Sequence, residues 1–319
     1  MMNLRFAVWI FLIGVMVLGA GVVSGQNFPN RPIRMVMGTA GGGSDFVARI
    51  LVQGISGPLG QPVIVENRTS ITAAEIVSKA SPDGYSLLVG GGSFLAFPLL
   101  RKASFDVVRD FSPISLLVRE INVLAVHPSL PVKSVKELIA LAKASPGKLN
   151  YSSTGPGGPS HIGGELFKSM AGVNIVWVPY KGTSAAIVAL LSNEVQMSIV
   201  DAGNAATHVK SGRLRALAVT SAQPSALFPA LPTVAASGVP GYESVGIAGI
   251  LAPARTPAAI INRLNFEMVR VITREDVKEQ LFNRETEVVG STPAEYLAII
   301  KSDIAKLGKV IKDAGIKVN

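Results

Sequence analysis

The sequence contains no cysteine. That absence excludes disulfides, thiolate metal sites, a cysteine nucleophile and a lipid anchor carried on a leader cysteine. Histidine is almost as scarce: His127, His161 and His208 are far apart, without H-x-x-x-H or H-E-x-x-H spacing. No metal site and no cofactor are expected on those terms. Charged residues make up 16% of the 319 positions and aromatic residues 6%. The balance is basic, at +9, yet Lys and Arg are scattered, with no basic run and no interleaved aromatics. Nucleic acid is therefore not an expected partner. The excess reads as a general attraction for anionic ligands.

What is present begins with a leader. Arg5 is the one charge before an apolar run, Phe6–Val23, and Val23-Ser24-Gly25 supplies small residues at its exit. This is the order of a secretory signal peptide, expected to be cut near Gly25. The rival reading is an N-terminal membrane anchor, because the run reaches the lower edge of a spanning length. Removing residues 1–25 leaves roughly 290 residues, enough for two domains. With no second long apolar run, the mature chain is expected to be soluble.

Short β-branched runs alternate with helix-period stretches almost throughout. Strands are expected at Ile33–Met37, Val63–Glu66, Ser86–Val89, Asn122–Val126, Ile175–Pro179, Met197–Val200, Leu214–Thr220 and Val245–Ala252, with a further one near Leu149–Ser152. Helices are expected at Asp45–Ile55, Thr72–Ala80, Val135–Ala144, His161–Ala171 and Thr183–Leu191, then from Pro257 to about Arg274 and from Pro293 to about Ala314. Such alternation predicts an α/β fold with largely parallel, buried strands. Thr256-Pro257 and Thr292-Pro293 each read as a Thr cap with Pro at the first helical position. Val118–Val126 and Val245–Ala252 read as extended connections around a segment with its own strand–helix alternation. The expected domains are 26–122 plus 248–319 as one discontinuous lobe and 123–247 as an inserted lobe, with a hinge and a ligand cleft between them.

Several strand-to-helix junctions expose backbone N–H groups. The first follows Ile33–Met37 as Gly38-Thr39-Ala40-Gly41-Gly42-Gly43-Ser44-Asp45. It lacks the Lys and spacing of a Walker A loop and the spaced glycines of a dinucleotide fingerprint. What remains is an anion nest at a helix N-terminus, or a plain cap on Ser44 or Asp45 after a flexible turn. A second junction, Ser152-Ser153-Thr154-Gly155-Pro156-Gly157-Gly158-Pro159-Ser160-His161, offers hydroxyls, with Ser160 the expected cap. Lys181-Gly182-Thr183-Ser184 is a third. Asp201 opens a fourth, either touching ligand or capping the helix through His208. Two anion-binding jaws suffice without an Arg clamp. Each charge-assisted bond is worth about 1.5–3 kcal/mol, and a micromolar site needs about 8 kcal/mol.

Enzymatic readings are thin. Ser152, His161 and Asp201 could be assembled as a triad on paper, but there is no G-x-S-x-G elbow. Glu275-Asp276 reads as a solvated helix face. No catalytic residue is expected.

Taken together, the segments Arg31-Pro32-Ile33-Arg34, Gly41-Gly42-Gly43-Ser44-Asp45, Gly60-Gln61-Pro62-Val63-Ile64-Val65-Glu66-Asn67-Arg68 and Ser81-Pro82-Asp83-Gly84-Tyr85 resemble the substrate-binding proteins of tripartite tricarboxylate transporters, the TctC or Bug family. The resemblance continues through Pro146-Gly147-Lys148-Leu149-Asn150-Tyr151, Val178-Pro179-Tyr180-Lys181-Gly182, Gly212-Arg213-Leu214-Arg215-Ala216-Leu217 and Leu231-Pro232-Thr233-Val234. It implies a periplasmic binding protein of type II, in which two α/β lobes close on a small carboxylate delivered to membrane transporter subunits. A signalling receptor with a sensor partner is the alternative function, and an exported hydrolase a more distant one. A monomer is expected. By position, the resemblance implies ligand contacts from Gly38, Thr39, Gly41, Gly42, Gly43 and Ser44, from Ser93 and Phe94, from Ser152, Thr154, Gly155, Ser160 and His161, and from Lys181, Gly182, Thr183 and Asp201. Three loops depart from the family pattern: Met37-Gly38-Thr39-Ala40, Thr69-Ser70-Ile71-Thr72-Ala73 and Gly90-Gly91-Gly92-Ser93-Phe94. In these loops Thr69, Ser70 and Thr72 offer new polar contacts, and Phe94 or Phe97 would favour an apolar or aromatic acid.

Overall fold

A computed structural model describes residues 28–38, 40, 43–153, 158–226, 228–284 and 286–313. The expected leader, residues 1–25, lies outside them.

The strands sort into two sheets. The first contains β1 (Ile33–Met37), β2 (Val63–Asn67), β3 (Ser86–Gly91), β4 (Phe111–Glu120), β10 (Gly246–Pro253) and β11 (Thr286–Val288), in the order β11-β4-β10-β3-β1-β2. The second contains β5 (Asn122–Val126), β6 (Asn150–Ser153), β7 (Val176–Pro179), β8 (Met197–Asp201) and β9 (Arg215–Val219), in the order β7-β6-β8-β5-β9. Helices cover both faces of each sheet. Around the first lie α1 (Gly43–Leu59), α2 (Ser70–Ser78), α3 (Gly92–Leu100), α8 (Ala258–Ile272), α9 (Glu275–Phe282) and α10 (Pro293–Asp313). Around the second lie α4 (Val135–Ala144), α5 (Pro159–Ala171), α6 (Thr183–Leu191) and α7 (Ala202–Lys210).

Burial on both faces explains the continuous apolar strands. All five residues of β5 and all eight of β10 are buried. Leu51, Ile55, Leu264 and Met268 pack on one side of the first sheet, and Ala73, Val77, Phe94 and Ile300 on the other. Leu138 and Phe167 cover one face of the second sheet, and Ile187 and Leu190 the other. Each fully buried side chain of this size contributes about 1.5–3 kcal/mol.

The expectation of largely parallel strands needs correction, because both sheets are mixed. β1 pairs parallel with β2 and β3, and β6 with β7 and β8. β10 runs antiparallel to β3 and β4, as β5 does to β8 and β9. The cause is topological: β5 continues β4 straight into the other sheet, and β10 brings the chain back. Val118–Val126 is thus two strands with only Ile121 between them. The outgoing and returning segments are tied together. The Asn122 carbonyl accepts from the Thr220 N–H at 2.9 Å, and the Thr220 carbonyl accepts from the Ser244 N–H at 2.9 Å.

Helix starts differ in detail from their sequence signals. Thr292 forms a capping box with Glu295: its N–H donates to Glu295 Oε2 at 2.9 Å, and its Oγ1 accepts from the Glu295 N–H at 3.3 Å. Thr256 does not cap α8; its hydroxyl donates to the Pro253 carbonyl and Pro257 takes the cap position. Gly158, not Ser160, caps α5, with Pro159 at the first helical position. Gly90–Phe94, expected as a loop, instead ends β3 and starts α3. Glu275 and Asp276 lie in the first turn of α9, paired with Lys278 and Arg274 at the surface.

Candidate functional site

Six helices begin at one place. α1, α2, α3, α5, α6 and α7 each follow a strand, and their first residues line two adjoining cavities between the sheets. The C-terminal edges of parallel strands are where open α/β sheets hold ligands. The larger cavity, about 340 Å³, is walled by Gly43 and Phe46 of α1, Ser160 of α5, Thr183 and Ser184 of α6, and Asp201, Gly203 and Asn204 at the start of α7. The smaller, about 190 Å³, is walled by Gly38, Ser44, Ser70, Ser93 and Phe94. Gly43, Glu120, Pro159 and Gly246 border both.

Each junction has a local cause. Asp45, expected as a cap alternative, sits inside the first turn of α1, where it pairs with Arg49 at 2.9 Å and accepts from Asn67 Nδ2 at 3.1 Å. Asn67 also donates to the Gly38 carbonyl at 2.9 Å, fixing the loop to β2. Gly182, with φ 98°, turns the chain into α6 through the left-handed region that glycine enters without strain. Asp201 caps α7, accepting from the Asn204 N–H at 3.1 Å.

The electrostatics are unlike a purely basic anion cleft. Glu120 Oε1 is sealed from solvent and has no hydrogen-bond partner among the described residues. Burial, then the charge of Asp201, push its carboxyl up to about 7. Burial also raises Asp201, against the hydrogen bond from Asn204 and the nearby Arg284. The Arg284 guanidinium stacks on Phe46, 4.2 Å from the ring centroid.

Of the expected contacts, Gly38, Gly43, Ser44, Ser93, Phe94, Ser160, Thr183 and Asp201 line the cavities. Thr39, Gly41, Gly42, Thr154 and Gly155 lie outside the described residues. Lys181 and Gly182 are exposed beside the cavities without lining them. Ser152 and His161 are core residues instead. Ser152 is fully buried, and its hydroxyl donates to the Ala186 carbonyl at 3.0 Å. His161 is buried against Trp177 with ring centroids 4.0 Å apart, and burial lowers its pKa. Phe94 touches the small cavity but packs between Phe105 and Phe111. In the divergent Thr69–Ala73 loop, Thr69 caps α2 by accepting from the Thr72 N–H, and Ser70 lines the smaller cavity. Sequence reasoning missed Glu120, Asn122, Ser198 and Arg284, which line the larger cavity. Glu120 and Asn122 sit in Val118–Val126, whose extended pattern marks a connection and not a site, and Arg284 lies just past the helix of Glu275-Asp276, whose pattern reads only as a solvated face.

A third cavity, about 240 Å³, lies between α5 and α10, with Arg119, Glu243, Asp303 and Lys306 on its walls. Arg119 and Glu120 face opposite ways, as neighbours on a strand must. Among the described residues no helix is long and apolar enough to cross a membrane, and no cluster of metal-ligating side chains occurs.

Two sheet-centred lobes around a cleft define a type II binding-protein architecture, and its relatives define the protein class. The model of the tripartite tricarboxylate transporter family receptor matches residues 47–316, and the chain belongs to that family. Protein BugT of Bordetella pertussis is 32% identical over 317 residues, 96% of this chain and 97% of that protein. The structure of R. palustris Rpa4515 with adipate superposes with a TM-score of 0.81 at 33% identity, covering 91% of this chain and 99% of that one. MatC from Rhodopseudomonas palustris, with bound malate, gives a TM-score of 0.78 at 27% identity over 89% and 100% of the two chains. The chain is a solute-binding receptor by family.

Proposed function

We propose that this chain is an exported, periplasmic receptor that captures a small carboxylate between its lobes and delivers it to the membrane subunits of a tripartite transporter. The convergence of six helix N-termini on one cleft carries the reading. Each aims the positive end of its dipole at the cleft, worth about 0.3–1 kcal/mol apiece to an anion at the surface and up to about 2 when partly buried. Hydroxyls of Ser44, Ser93, Ser160, Thr183 and Ser184 stand beside them. Four or five charge-assisted bonds at about 1.5–3 kcal/mol reach micromolar affinity. The adipate and malate carried by the two related structures support a carboxylate ligand here.

In this reading the lobes are 26–122 with 248–319, and 123–247, and they close by rotation about the paired crossings at Glu120–Asn122 and Ser244–Gly246. The leader ends near Gly25, and the receptor works as a monomer. Thermal-shift screening of the purified chain against a broad carboxylate panel tests the proposal. A ligand at a hundred times its dissociation constant should add about 2.7 kcal/mol. If solutes lacking a carboxylate bind and no carboxylate does, the proposal fails.

A further inference from the structure

Glu120 is the feature of the cleft that a simple carboxylate would not call for. It ends β4 where the chain leaves the first sheet, and it borders both cavities. Its Oε1 is buried and accepts no hydrogen bond among the described residues, although a buried polar group normally finds a partner. Gly43 and Gly246 flank it. A side chain on either would meet the carboxyl group, a Cβ on Gly246 lying 2.8 Å from Oε2. The missing side chains leave the carboxyl its place at the cavity border.

A second acid faces it from the other lobe. Asp201 pairs in register with Asn122, two residues along from Glu120, and the Ala202 N–H donates to the Ile121 carbonyl at 2.9 Å. Asp201 is served by Asn204 and Arg284. Asp45, on α1, is served by Arg49 and Asn67. A ligand that brought only carboxylates to this floor would place like charges beside Glu120 and Asp201. One that brought an N–H cation would give the Glu120 carboxyl, which borders both cavities, a charge-assisted partner.

Building on the receptor reading above, we propose that the ligand is an amino-carboxylate. Its cationic amine sits against Glu120, on the side facing Asp201, and its carboxylate lies at the starts of α1 and α6. The cleft then recognises a zwitterion by a divided site: acids at the hinge floor, N–H groups and hydroxyls at the rims.

Matched pairs of probes test this by calorimetry at pH 8: glutamate with glutarate, aspartate with succinate, 4-aminobutyrate with butyrate, and phenylalanine with 3-phenylpropanoate. At least one amine-bearing probe should bind the purified chain tenfold or more tightly than its partner without the amine. Glu120→Gln should bring that pair within about threefold while leaving the amine-free probe unchanged or tighter. Asp201→Asn, whose side chain still caps α7, should also shrink the ratio, and it serves if Glu120→Gln does not fold. Amine-free acids binding as tightly as or more tightly than their partners would overturn the ammonium site and leave the carboxylate receptor standing. An unchanged ratio in a folded Glu120→Gln would also overturn it. If no member of any pair binds, the amino-carboxylate proposal falls, while the receptor reading stands or falls by the broad carboxylate panel.

Discussion

The hydroxyl of Thr220 reaches the Ser244 carbonyl at 2.5 Å and the Asn122 carbonyl at 3.0 Å. One buried side chain thus ties the outgoing strand to the returning one where the chain changes sheets. Thr220→Val keeps the shape and removes the tie. The expected loss is about 1–2 kcal/mol of stability, read as a lower urea midpoint. Small-angle scattering should also show a wider spread between the lobes in the absence of ligand. An unchanged profile in both measurements would mean that backbone pairing alone sets the hinge.

Glu120 makes stability depend on pH. Its carboxyl holds a proton up to about 7 in the folded chain, against the ordinary 4.5. Between those values the native state binds more protons than the unfolded one, so stability falls as pH rises through that window. The ceiling on the effect is about 3 kcal/mol. Urea midpoints at pH 5 and pH 8 should differ more for the wild type than for Glu120→Gln. Equal differences would contradict the assignment.

Gly246 stands directly across the ladder from Glu120. A Cβ there would lie 2.9 Å from the Cβ of Glu120, the rigid base of that side chain. Gly246→Ala should therefore cost about 1–3 kcal/mol through overpacking and push the carboxyl out of place, with a fall in Tm and weaker ligand binding. A variant with wild-type Tm would show that the strand shifts freely.

Ser44 is the second residue of α1 and lines the smaller cavity. Proline is tolerated in a first helical turn but offers no N–H. Ser44→Pro should keep the fold, with Tm within a few degrees, and lose at least tenfold in carboxylate affinity by calorimetry. Retained affinity would remove this N–H and hydroxyl from the site.

Most of the fold was legible in the sequence where local signals were strong. Ile33–Met37, Asn122–Val126, Val135–Ala144 and Thr183–Leu191 coincide with their elements, because apolar periodicity and burial agree there. β4 escaped because Phe111–Glu120 carries a proline and ends in Arg119-Glu120, charges that face two different cavities. α3 escaped because Gly91 and Gly92 disguise a helix that starts the moment its strand ends. Of the site, the helix starts were legible because glycines, serines and threonines crowd them. The hinge floor was not. Glu120, Asn122 and Gly246 meet through pairings 122 residues or more apart in the chain, and no local pattern announces a pairing of that reach.

The placement of β10 also orders assembly. β5 to β9 form the second sheet from residues 122–219 alone, so that lobe has all its strands once this stretch is available. The first sheet has β10 between β3 and β4, and β10 is made only after the whole inserted lobe. Until then the buried edges of β3 and β4 have no partner, and the apolar faces that α8 and α10 will cover stand open. A chain cut short before residue 246 would therefore carry one complete lobe and one sticky half-sheet, the part of this protein most in need of protection from aggregation while it is being made.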